Sequence, residues 1–177
     1  MANIVALLES MWGWRGYSSE GDVIRYFRIN PDNFSGKRLY RIVGNHNLLV
    51  TNSCRECQRS ANEHGKPDPD WVADNLKFLA SQKMDLLLVC GKVAKETYEA
   101  SGFQFPRVIF MDHPAARRWT NAALDAVAQK VTSAIQAMAA GESKDLCSKC
   151  GAPESEHYDN TQCPLGNGLY SSTEVFA

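Results

Sequence analysis

The sequence predicts an α/β fold on a mainly parallel sheet, and three observations carry that prediction. Runs of aliphatic residues alternate with stretches of helical periodicity, the pattern of βαβ units. The run Leu86–Cys90 shows no polar alternation, as expected of a central strand buried on both faces. Four such runs stop at residues suited to handling a ligand: Glu9, Asn52, Gly91 with Lys92, and Asp112 with His113. In an open α/β sheet, ligands sit in the crevice beyond the carboxyl ends of the strands. If the four runs are parallel neighbours, an acid, an amide, a glycine turn and an imidazole therefore meet in one cleft.

The elements follow in order. Asn3–Leu8 is the first strand, and it leads into a loop of aromatic residues and glycines containing Trp12, Trp14 and Tyr17. That loop is either an exposed ring platform or a packed satellite core. Ser35 is the expected N-cap of a short helix over residues 37–43, with Gly44 at its end. A second strand over residues 48–51 runs into Asn52. After a long loop, Pro69-Asp70-Trp71 reads as a helix start, and Val72, Leu76 and Leu79 form its apolar stripe. Leu86–Cys90 precedes a tight turn at Gly91 and a helix over residues 93–100. Val108–Met111 is the last strand. Thr120 can cap a long helix in which Leu124, Val127, Val131, Ile135 and Met138 recur at helical spacing, and Gly141 is its expected end. Beyond Gly141 the composition turns to Ser, Asp, Cys, Gly and Pro, so the domains expected are residues 1–141 and 142–177.

At 177 residues the chain can build one sizeable core with a small appendage. No apolar run approaches the roughly 20 residues that span a bilayer. The first residues lack the pattern of a signal peptide, so a soluble, cytoplasmic protein without membrane partners is expected. Formal net charge is −1, which makes no global case for nucleic acid. The distribution is uneven: residues 142–177 hold six acids against two lysines, and residues 1–141 hold 17 basic and 14 acidic groups. Arg15, Arg25, Arg28, Lys37, Arg38 and Arg41 form a local basic excess able to meet phosphates.

Six cysteines fall into three kinds. Cys147-Ser148-Lys149-Cys150-Gly151 is a C-x2-C-G turn followed by His157 and Cys163. Two thiolates at this spacing can share a metal, and a Cys3His set suits tetrahedral zinc. A tail so poor in aliphatics needs such a staple to fold. The zinc expected there is structural, since four protein ligands leave no open position. Cys54 and Cys57 form a second pair in a loop beside the cleft, without a further pair nearby. Cys90 lies in an apolar strand as a small buried hydrophobe. Disulfides are not expected in this compartment.

From Leu48 onward the ordered combination of motifs is family-like. Leu-Leu-Val-Thr-Asn (48–52) precedes a cysteine-bearing loop with Pro67-Asp68-Pro69, then a helix. A strand and turn follow through Leu86–Cys90 to Gly91-Lys92, and the series closes on Met111-Asp112-His113-Pro114-Ala115. The combination resembles the uracil-DNA glycosylase superfamily over roughly residues 3–135. The resemblance implies a three-layer sandwich with a mainly parallel central sheet, to which the zinc-binding tail is an addition. It implies that Glu9 is the acid of the first motif, Asn52 the base-reading amide and His113 the imidazole of the second motif. Ala115 stands where that motif has serine. Ser35-Gly36 and Leu39 resemble the segment after the family's base-stacking aromatic, which makes Phe34 the candidate stacker. Tyr26, Phe27, Trp12 and Trp14 are its rivals. The first motif is Leu8-Glu9-Ser10-Met11, without the Gly and Ala-Pro of the family. Some branches hold an iron–sulfur cluster by four cysteines; that set is incomplete here, and no cluster is expected.

The function implied is recognition of a flipped uracil or modified pyrimidine-like base in single- or double-stranded DNA, with hydrolysis of its N-glycosidic bond. Glu9 and His113 would be catalytic, Asn52, Phe34 and Trp12 would bind the base, and Lys92, Arg117 and Arg118 would contact phosphate. A non-catalytic module that binds a base, nucleotide or partner through the same cleft is the alternative, and an enzyme of RNA or free nucleotides is a third reading.

Overall fold

A computed structural model describes residues 1–11, 20–59 and 65–144, the last four as backbone alone. The elements are β1 (Asn3–Leu8), α1 (Phe34–Val43), β2 (Asn47–Asn52), α2 (Pro69–Ser81), β3 (Leu86–Cys90), α3 (Lys92–Ser101), β4 (Val108–Met111) and α4 (Asn121–Lys144). The strands pair in the order β2-β1-β3-β4, every pair parallel. The class is therefore α/β, with a four-stranded parallel sheet and four helices among the described residues, an arrangement compatible with a three-layer sandwich.

Parallel neighbours need crossover connections, and these are right-handed almost without exception. The chain steps one way from β1 to β2 and the other way from β2 to β3 to β4. That reversal puts α1 on one face of the sheet and α2 with α3 on the other. The α2–α3 face is a single apolar cluster. Val5 and Leu7 of β1 and Leu87 and Val89 of β3 pack there with Trp71, Val72, Leu76, Leu79, Ala94, Tyr98 and Phe105. The alternate residues Ile4, Ala6, Leu86, Leu88 and Cys90 face the other way and are equally buried. Both faces of the central strands are covered, which explains their lack of polar alternation. The outer edge of β2 is closed by Phe27, which exchanges two backbone bonds of 2.9 Å with Val50.

Local chemistry sets the helix ends. The Asn33 carboxamide accepts from Gly36 N at 2.6 Å, so α1 begins at Phe34, and Ser35 lies in its first turn instead of capping it. Asn33 wins because its side-chain oxygen reaches the third amide of the helix, one of the donors left without a helical partner. Asp68 caps α2 in the same way, accepting from Trp71 N at 3.0 Å. Thr120 Oγ1 accepts from Ala123 N at the start of α4. At its far end α4 continues through Gly141 to Lys144. An interior glycine costs a helix only about 1 kcal/mol, which does not oblige it to stop. The chain divides into two compact units, Met1–Val131 and Thr132–Ala177, and the described part of the second is the α4 segment from Thr132. Among the described residues no helix is long and apolar enough to cross a membrane.

Gly36 illustrates how tightly α1 is seated. A Cβ there would lie 2.0 Å from the backbone oxygen of Asn30. Helix propensity alone favours Gly36→Ala by about 1 kcal/mol. We expect the clash to outweigh it, with a net loss of about 1–3 kcal/mol in urea unfolding. A more stable variant would show that the turn before α1 yields freely.

Candidate functional site at the carboxyl edge

Because all four strands are parallel, their carboxyl ends share one edge of the sheet. The direction of the connections reverses between β1 and β3, so the switch point lies where Glu9 leaves one strand and Gly91 leaves the other. The pairing continues past the strand ends. Ser53 N donates to Leu8 O at 2.8 Å and Cys54 N to Glu9 O at 3.0 Å, while Gly91 N donates to Met111 O at 2.8 Å. These bonds carry the rigidity of the sheet into the residues that line the edge.

His113 is held from several sides. Ala116 N and Trp119 Nε1 both donate to its carbonyl oxygen at 2.8 Å, closing a tight turn. Its ring nitrogen Nδ1 accepts from Ala115 N at 3.1 Å. A nitrogen that accepts carries no proton, so the neutral ring holds its hydrogen on Nε2 and offers it as a donor. Burial pushes the His113 pKa below the ordinary 6.5, against an opposing pull from the nearby Glu9 carboxylate. Gly91 makes room for it: a Cβ at Gly91 would come within 2.9 Å of His113 Cβ, and its φ of +93° suits glycine.

Glu9 is half-buried. Its charge acts on both His113 and Cys54, so the carboxylate lies near the imidazole and near the start of the loop after β2. Asn52 pairs with Leu8 in the register of β1 and β2 and is 4% exposed. Its carbonyl oxygen accepts from Trp71 Nε1 at 3.2 Å. The side-chain Oδ1 is buried without a hydrogen-bond partner among the described residues. By strand alternation Asn52 faces the α1 side, since Thr51 points to α2, where Asn75 Nδ2 donates to its hydroxyl at 2.6 Å. Crossover helices run back antiparallel to their strands, so α1 starts at this same edge. Phe34, in its first turn, is 58% exposed.

The remaining expected residues are placed as follows. Lys92 opens α3, which has no side-chain cap, and it pairs with Glu96 at 3.7 Å. Arg118 is engaged by Asp112 through both carboxylate oxygens, beside His113, and Arg117 is exposed. Trp12 lies outside the described residues, as do Trp14 and Tyr17. So do the zinc ligands Cys147, Cys150, His157 and Cys163. Among the described residues no group of three or more His, Cys, Asp or Glu side chains is placed to hold a metal. Cys54, Cys57 and Cys90 are buried and not disulfide-bonded. Burial, with Glu9 adding, pushes the Cys54 thiol up to about 11, so it is protonated and unreactive at neutral pH.

Sequence reasoning missed three supports: Trp71 under Asn52, Trp119 under His113, and Arg38. The last had a legible signal, an arginine four positions after Phe34 on one helix face. Chemically, the edge presents a neutral N–H donor, a carboxylate and a buried amide with an unmet acceptor. Since Glu9 raises the His113 pKa, Glu9→Gln should lower it further. Histidine NMR titration of the wild type and the variant checks this, and an unchanged or higher pKa in the variant would separate the two groups.

No protein-family model matches this chain, and no curated protein matches it at a significant level.

Proposed function

We propose that this edge receives a nucleobase taken out of DNA, uracil or a modified pyrimidine-like base, and hydrolyses its N-glycosidic bond. The observation that carries the reading is His113 held as a neutral Nε2–H donor, with Glu9 in electrostatic range and Asn52 at the end of β2, the strand paired with the one that leads to Glu9.

Cleavage of the bond builds positive charge on the sugar and negative charge on the departing base. A hydrogen bond from His113 Nε2 to a base carbonyl stabilises that anion, an effect on the order of 3 kcal/mol. Asn52 supplies the acceptor that a base N–H lacks once it leaves its pair, and its amide hydrogens can meet the adjacent carbonyl. Glu9 orients or deprotonates the water that adds to the sugar carbon, and its charge offsets the positive sugar. The leaving base takes up a proton. Flipping costs a few kcal/mol, which stacking on Phe34 and phosphate contacts offset.

Oligonucleotides, single-stranded and duplex, carrying uracil or modified pyrimidines test this by the appearance of alkali-labile abasic sites. We expect His113→Ala and Asn52→Ala to fold and to lose about a hundredfold or more in base release. Activity should also fall as pH drops through the lowered His113 pKa, because protonating Nδ1 sets it against the Ala115 N–H. The departure of Leu8-Glu9-Ser10-Met11 from the family's first motif favours one other outcome, tight base binding without abasic sites, which would make the chain a recognition module.

For the C-terminal segment we propose one structural zinc on Cys147, Cys150, His157 and Cys163, on the strength of their spacing. Metal analysis of protein purified without chelator should find about one zinc per chain. Finding none would remove this assignment and leave the base-binding reading as it stands.

A further inference from the structure

One guanidinium joins the two walls of the site. Arg38 follows Phe34 by four positions on α1, so their side chains share a helix face. Its Cζ lies 3.9 Å from the centroid of the Phe34 ring. Through Nη1 it donates to the carbonyl oxygens of Pro114, at 2.5 Å, and Ala116, at 2.7 Å. Those residues belong to the turn whose first carbonyl is that of His113. A single planar cation is thus fixed between the ring and the turn that aims the imidazole.

The neighbouring arginine behaves differently. Arg41 reaches Asp125 and Asn121 at the start of α4, an ordinary exposed ion pair. Arg38 has no ion-pair partner among the described residues, and the bonds it makes there go to backbone oxygens that need a donor. A guanidinium can lie over a ring while its N–H groups reach past it, and here one nitrogen, Nη1, serves both carbonyl oxygens. Phe34 is covered by the cation yet keeps more than half of its surface exposed.

We infer that Arg38 is a positioning residue: it fixes where the Phe34 ring stands relative to the turn at residues 113–116 that carries the His113 imidazole. The inference rests on the base-binding reading of the site. Arg38 touches neither the base nor the sugar; it acts through Phe34 and through the turn at residues 113–116.

The test uses the full chain with Arg38→Met, which keeps the stem but removes donors and charge, and Arg38→Lys, which keeps a donor without the planar stack. Nitrogen-15 spectra of His113 give a readout independent of activity. The wild type should show the Nε2–H tautomer, and Arg38→Met a mixture of tautomers with an altered pKa, while urea unfolding shows both proteins folded. On an oligonucleotide that the wild type cleaves, Arg38→Met should lower kcat roughly tenfold to a hundredfold, as for a misplaced catalytic group, with any loss of the Phe34 stack adding a smaller rise in KM. Arg38→Lys should fall between. Wild-type spectra and kcat in Arg38→Met would overturn the inference, and so would a rise in KM alone, which would make Arg38 a substrate contact. If Arg38→Met does not fold, the lysine variant decides by the same two readouts. If the wild type releases no base from any oligonucleotide, the functional reading fails, and the His113 spectra judge Arg38 alone.

Discussion

The parallel pairing of β1 with both β2 and β3 is the constraint on which the rest of this structure depends. It obliges every connection to be a crossover, sends helices to both faces and brings four carboxyl ends to one edge. Side chains of β1 and β3 lie at 0–6% exposure from Ile4 to Leu8 and from Leu86 to Cys90. Backbone groups in such a layer have no access to water, so the ladder must be complete, and register is correspondingly strict. The ladder also extends beyond the strands proper, through Ser53, Cys54 and Gly91. Glu9 and Gly91 are therefore held almost as firmly as the sheet itself.

Around His113 the protein relies on backbone chemistry. The Ala115 amide reaches Nδ1, so the tautomer is set by a main-chain N–H. Neutrality of the ring is likewise a matter of surroundings. Burial disfavours the imidazolium, and the Glu9 carboxylate pulls the other way without cancelling that effect.

The wall formed by β2 and α2 carries an energetic cost. Asn52 and Asn75 are both buried, and each has an Oδ1 without a partner among the described residues. Leaving such an acceptor unsatisfied costs about 1–3 kcal/mol. Asn75 has a structural return, since its Nδ2 ties Thr51 Oγ1 to the backbone oxygen of Arg25. Asn52 has no such side-chain bond at Oδ1 among the described residues. Burial keeps the nearby Cys54 thiol protonated and pushes the Cys90 pKa up further still.

Strand positions were legible in the sequence because burial on both faces writes itself as unbroken aliphatic runs in Asn3–Leu8 and Leu86–Cys90, and the partly exposed edge strand Val108–Met111 also occupies the residues its composition predicts. Helix ends were less so. Ser35 and Asn33 are both good caps, and only the distance from the Asn33 carboxamide to Gly36 N decides between them. Glu9, Asn52 and His113 could be named one at a time, since each lies at or within two residues of a strand's carboxyl end. What composition and periodicity alone determined was therefore a parallel α/β chain with polar residues at its strand ends. Only the tertiary structure decided that β1 lies between β2 and β3, which proton the imidazole keeps, and that Arg38 bridges Phe34 to the His113 turn. Those facts arise from contacts between residues far apart in the chain, such as the Arg38 bonds that span 76 and 78 positions, or from bonds whose direction depends on backbone geometry, and neither leaves a local pattern to read.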